Sequence, residues 1–197
     1  MRVENGNLIM TAEYASKEYG DGWYSGMIRT VDEFKYGYYE IRCIPNYSEC
    51  FWSAFWMTID GCYDHYISQG GLYAAEIDIF ETYKIHTLST KNYITSSIHC
   101  NGSDEDIENI DSHRVVKAYV PNLRDGRYTT FGLLWTEKEY VFYVNGKETG
   151  RTSFGLGTSM VPEYVVVSLE IPNEISLSRD TTTEYIVDYV RIYQLEG

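Results

Sequence analysis

The chain has 197 residues, 44% of them apolar, which fits one globular domain with its own core and excludes a disordered segment or a membrane-spanning helix. A formal charge of −13 without a basic stripe speaks against nucleic acid as a partner, and against heavily sulfated polysaccharide unless a local basic pocket overrides it. Twenty tyrosines suit strands and also the flat apolar faces of sugar rings.

Along the chain, short alternating runs separated by turn residues dominate, and no long helical periodicity is present. Asn5-Gly6-Asn7 precedes Leu8-Ile9-Met10, and Gly20-Asp21-Gly22 precedes a strand over Trp23–Thr30. Further strands are predicted at Tyr38–Ile44, Phe51–Thr58, Ala74–Glu81, Tyr93–Cys100, Thr129–Trp135, Tyr140–Val144, Tyr164–Leu169 and Ile186–Tyr193. Asn145-Gly146 marks a two-residue hairpin turn. Asp104–Asp111 reads as a solvated acidic loop, with calcium binding as a lesser alternative. Evenly spaced strands without helices predict an all-β sandwich or jelly roll of one domain over residues 1–197. The residues after Met1 do not show a signal-peptide pattern, and the sequence given opens at a strand-like stretch.

Cys43, Cys50, Cys62 and Cys100 lack C-x-x-C spacing, so a zinc site is not expected; three disulfide pairings are open, as are free thiols. Asn46-Tyr47-Ser48 and Asn101-Gly102-Ser103 match glycosylation sequons.

The chemistry concentrates in Ala75-Glu76-Ile77-Asp78-Ile79-Phe80-Glu81. Strand alternation puts Glu76 and Asp78 on one face and Ala75, Ile77 and Ile79 on the other. Glu81 falls out of phase. A β-bulge near Ile79-Phe80 would restore it to the acidic face, because one inserted residue reverses parity. Such a trio could divide the work of a retaining glycosidase, one carboxylate attacking while a second holds a proton, and crowding should raise at least one pKa. Solvated surface acids or a calcium site are the alternatives on spacing alone. On Tyr93–Cys100, Tyr93, Thr95, Ser97 and His99 share one face. Asp188 shares its predicted face with Val190 and Ile192, an acid on an apparently inward side.

Glu76-Ile77-Asp78-Ile79-Phe80-Glu81 resembles the E-x-D-x-x-E signature of family 16 glycoside hydrolases, in the bulged form of laminarinases, agarases and carrageenases. Tyr36-Gly37-Tyr38-Tyr39-Glu40, Ser53-Ala54-Phe55-Trp56-Met57, Trp135–Lys147 and Val187–Tyr193 resemble the family's flanking strands, so the likeness runs from about Glu4 to Gln194. It implies a concanavalin A-like jelly roll of two antiparallel sheets with a concave substrate groove. It also implies Glu76 as nucleophile, Glu81 as general acid and base, and Asp78 between them. His99 and Trp56 match groove residues, with Trp52 and Trp135 as further sugar-contact candidates. A structural calcium on Asp188 and the carbonyl of Gly6 is implied, with no cofactor for catalysis. The implied partner is a polysaccharide, met by a monomer outside the cell or at its surface.

The chain departs from the family pattern in several places. The usual N-terminal strand region is missing, Gly71-Leu72-Tyr73 stands where Trp-Pro is common, Ser53 replaces a proline and Asn145 replaces an aspartate. The expected activity is endo-hydrolysis of β-1,3-glucan or a related glucan. An endo-β-galactanase, a transglycosylase and a non-catalytic sugar-binding module are the alternatives.

Overall fold

The computed structural model describes residues 1–48, 50–60, 74–82, 92–101, 110–153, 158–171 and 177–194. These residues form two antiparallel sheets and no helix. The first sheet contains β1 (Arg2–Glu4), β2 (Asn7–Lys17), β3 (Gly20–Tyr24), β5 (Gly37–Ile44), β10 (Thr129–Trp135), β11 (Tyr140–Val144), β12 (Lys147–Thr152) and β14 (Thr182–Tyr193). Its order is β1-β2-β14-β5-β10-β11-β12, with β3 paired to the far end of β2. The second sheet, in the order β4-β13-β6-β7-β8-β9, contains β4 (Gly26–Arg29), β6 (Trp52–Thr58), β7 (Ala75–Glu81), β8 (Tyr93–Asn101), β9 (Ile110–Tyr119) and β13 (Tyr164–Glu170).

Period-two burial makes the sandwich. Along β5, Tyr39, Ile41 and Cys43 are buried while Tyr38, Glu40 and Arg42 face outward. Between the sheets Phe80 stacks on Phe131 with ring centroids 3.9 Å apart, and Tyr185 meets Phe80 edge-on. Each such fully buried ring contributes on the order of 2 kcal/mol of apolar burial. The predicted strand over Trp23–Thr30 is two strands that divide between the sheets: β3 joins β2, β4 joins β13, and the Ser25 hydroxyl between them donates to the Leu169 carbonyl.

Tight turns follow the sequence closely. Asn5-Gly6 and Asn145-Gly146 both take left-handed backbone (φ 50 and 79°, 49 and 73°), the geometry of a type I′ hairpin turn, and join β1 to β2 and β11 to β12. Gly37 is required for a different reason. At φ 122°, a Cβ there would lie 2.3 Å from the Tyr193 carbonyl oxygen.

Several tyrosines serve the scaffold. Tyr39, Tyr140 and Tyr185 are wholly buried, and Tyr38, Tyr143 and Tyr193 cluster on the outer face of the first sheet. Cys43 and Cys50 are free thiols; Cys62 and the side chain of Cys100 lie outside the described residues. So do Gly71-Leu72-Tyr73 and most of the acidic loop.

Candidate active site

β7 carries the bulge that the sequence predicts. Against β6, Phe55 pairs with Phe80 and the next pair is Trp56 with Asp78, which leaves Ile79 unmatched. Against β8, Asp78 pairs with Ser97 and Glu81 with Thr95. Ile79 and Phe80 therefore both enter the core, and Glu76, Asp78 and Glu81 face outward together. They line a hollow of about 370 Å³ with Met27, Trp52, Ala54, Trp56 and Glu170.

The acids are unequal. Burial, then the neighbouring charges of Asp78 and Glu76, push Glu81 up to about 9, opposed by a hydrogen bond from Trp52. A neutral carboxyl group at neutral pH follows, in a position open to the hollow. Asp78 is almost wholly buried, and one of its carboxylate oxygens lies 3.0 Å from His99 Nε2. Burial raises Asp78; its hydrogen bond in turn raises His99. An imidazolium beside a buried carboxylate is stabilised by it, so the pair keeps a shared proton above the pH at which an isolated histidine becomes neutral. His99 Nε2 also lies 4.0 Å from Glu76 Oε1. Glu76, Asp78 and His99 bring one ligand atom each to within 4.8 Å of one another, so the trio could in principle also hold a divalent ion.

The predicted sugar-contact tryptophans separate. Trp56 borders the hollow and donates its indole N–H to Ser168 at 3.0 Å. Trp52 borders it too, and its hydrogen bond ties it to Glu81. Trp135 does not belong there: it is 0% exposed and packs in the core against Tyr36, Tyr39 and Tyr140. It shares parity with buried Phe131 and Leu133 on β10, so alternation sends it inward with them. Glu170 and Met27 are groove residues the sequence reading missed. The predicted strand at Tyr164–Leu169 stops one residue short of Glu170, and Met27 falls inside the single strand predicted over Trp23–Thr30, where nothing marks its face.

Asp188 falls at another register shift, between Val187 and Tyr189, which takes it off the inward face. Its carboxylate accepts a hydrogen bond from Arg42, and its side chain keeps 34% exposure. The turn holding Gly6 is close by, since Leu8 pairs with Val187. The charges do not fit a calcium ion as they stand, because a carboxylate already matched by a guanidinium offers a second cation little attraction.

Known proteins show the same architecture. The laminarinase catalytic domain from Thermotoga maritima superposes with a TM-score of 0.74 at 24% identity, covering 100% of this chain and 80% of that one. A kappa-carrageenase from Zobellia galactanivorans gives 0.79 at 19% identity, covering 98% and 81%. Endo-1,3-1,4-beta-glycanase ExsH of Rhizobium meliloti is 29% identical over 207 residues, which include 99% of this chain and 40% of that protein. The chain thus spans about two-fifths of the length of this curated relative. The family profile of glycosyl hydrolases family 16 matches residues 1–169, most of the molecule, and the chain belongs to that family.

Proposed function

We propose that the chain is an endo-acting glycoside hydrolase that cleaves β-1,3-linked or mixed β-1,3-1,4-linked glucan by double displacement with retention. The observation that carries this reading is the β7 bulge, which gives one hollow both a carboxyl group that stays protonated to about 9 and two further acids. The relative named above, an endo-1,3-1,4-beta-glycanase, supports these linkages.

In the first step the Glu76 carboxylate bonds to the anomeric carbon as the glycosidic C–O bond breaks. Glu81 gives its proton to the departing oxygen. Asp78, held by His99, lies between them and orders the nucleophile. In the second step Glu81, now a carboxylate, takes a proton from water. That water's oxygen bonds to the anomeric carbon, and Glu76 leaves as a carboxylate. Trp56 and Trp52, both on β6 beside the acids, offer ring faces to the sugars. All three acids come from one strand of one chain, which supports a monomer as the working unit. A polymeric substrate supports action outside the cell or at its surface.

Glu76→Gln should abolish release of reducing ends from laminarin and mixed-linkage glucan while leaving the melting temperature within a few degrees of the parent. NMR of the wild-type reaction at early times should show the β-anomer first. An α-anomer as first product, or normal turnover by E76Q, would rule the scheme out.

A further inference from the structure

Beyond the acids, the same sheet face carries an unexplained pair of positive charges. β8 and β9 pair across a bulge of their own: Ser96 opposes Val116, the next pair is Ser97 with Arg114, and Val115 is left over. Arg114 and Lys117 are three residues apart, so plain alternation would put them on opposite faces. The bulge turns them to one face, and Val115 and Val116 both pack toward the core. Antiparallel partners share a face, which fixes which face it is. Asp78 pairs with Ser97 and Ser97 with Arg114; Glu81 pairs with Thr95 and Thr95 with Lys117. Each cation thus stands in the cross-strand row of one acid, two strands away, or about 10 Å at the usual strand spacing.

Both side chains are exposed, and neither forms an ion pair with a described residue. The next pair along is Tyr93 with Tyr119, two rings in edge contact at 5.5 Å, with the Lys117 ammonium 5.6 Å from the Tyr93 ring centre. In a chain of charge −13, this flank joins a pair of tyrosine rings to two cations beside the acid-lined hollow.

Resting on the glycanase reading above, we propose that the β8–β9 flank is a subsite for an anionic substituent, a carboxylate or a sulfate, on a glycan unit near the cleaved linkage. Arg114 and Lys117 meet the charge, and Tyr93 and Tyr119 meet the ring that bears it. The preferred substrate is then an acidic β-glycan, not a neutral one.

The test uses one parent mixed-linkage glucan in three forms: unmodified, lightly carboxymethylated and lightly sulfated. Binding of E76Q protein is read by affinity electrophoresis, so the result does not depend on turnover. Retardation should be about fivefold stronger with an anionic form than with the parent polymer, the size two exposed charge pairs give. Adding R114Q and K117Q should bring the ratio to about one, and adding K117R alone should keep it. A gain on the carboxymethylated form, the sulfated form or both supports the subsite and names its group. A ratio near one in E76Q protein, or one that R114Q/K117Q leaves unmoved, overturns it. Failure of the glycanase reading would show separately, as wild-type protein that releases no reducing ends from any of the three polymers.

Discussion

Glu81 shows how much one side chain's surroundings decide. Its spacing from Asp78 is visible in the sequence, but its protonation is not, because that depends on burial and on two neighbouring acids in three dimensions. If Glu81 supplies the proton for the leaving oxygen, kcat/KM on glucan should fall on the alkaline side as it ionises near pH 9. E81Q should lower the rate on glucan by about 10²- to 10⁴-fold, the usual contribution of a placed acid. An aryl β-glycoside whose leaving group departs without a proton should lose much less in bond cleavage. Initial rates and the first-turnover burst on the two substrates check this, and equal losses would remove Glu81 from the acid's role. Trp135 shows the converse. Its partnership in parity with Phe131 and Leu133 was available in the sequence, yet a tryptophan in a sugar-binding fold invites a groove assignment.

At the level of elements, strands with clean alternation or strong turn residues were legible, among them β5, β6, β10 and the Asn145-Gly146 hairpin. The β7 bulge was legible too, since three acids with an odd spacing share a face only if parity reverses once. β9 was not. Its own bulge sets Val115 beside Val116 among charged residues, and the period-two pattern is lost there. The role of Asn46 was not legible either. As a sequon it suggests surface, yet it is 0% exposed and knots three segments together. Its side-chain oxygen Oδ1 accepts from Ser53 N–H, the Ser53 hydroxyl and the Thr82 hydroxyl, while its side-chain Nδ2 donates to the Ser48 and Phe51 carbonyls. Thr82 follows Glu81 directly, and its N–H donates to the Ser53 carbonyl, so this network ties down the end of β7. The serine that replaces the family's proline supplies both an N–H and a hydroxyl to it. Asn46→Ala should therefore destabilise the fold by about 2–4 kcal/mol, because several buried groups lose their partner at once. Urea unfolding checks the figure, and a loss under about 0.5 kcal/mol would show the network to be dispensable.

For the whole molecule, two terms remain that no sequence pattern reveals. One is the Arg42–Asp188 pair, where a guanidinium satisfies the carboxylate that the family likeness assigns to calcium. Chelation with EDTA should then leave both melting temperature and glucan turnover unchanged, and a fall in melting temperature that calcium restores would reinstate the ion. The other is Glu163, wholly buried against the start of β7, where it accepts a hydrogen bond from Ala75 N–H at 3.3 Å and leaves Oε2 without a partner. Burial pushes Glu163 up to about 8 from an ordinary value of 4.5. Between those values the native state holds a proton that the unfolded chain releases, so unfolding becomes easier as pH rises. Glu163's contribution is fully present below about 4.5 and is lost as pH climbs through about 8. Glu81, raised to about 9, and His99, also raised, act in the same direction. Stability from urea unfolding should accordingly fall between pH 5 and pH 9 by a few kcal/mol, since each tenfold difference in proton affinity between the folded and unfolded chain is worth about 1.4 kcal/mol. Glu163→Gln replaces the protonated acid by a neutral side chain of the same shape. It should lessen the slope below pH 8 whatever it costs at pH 5, while E81Q should lessen it over the whole range up to pH 9. A wild-type stability that is level or rising over this range, or a slope that E163Q leaves intact, would mean that Glu163 is ionised beneath β7.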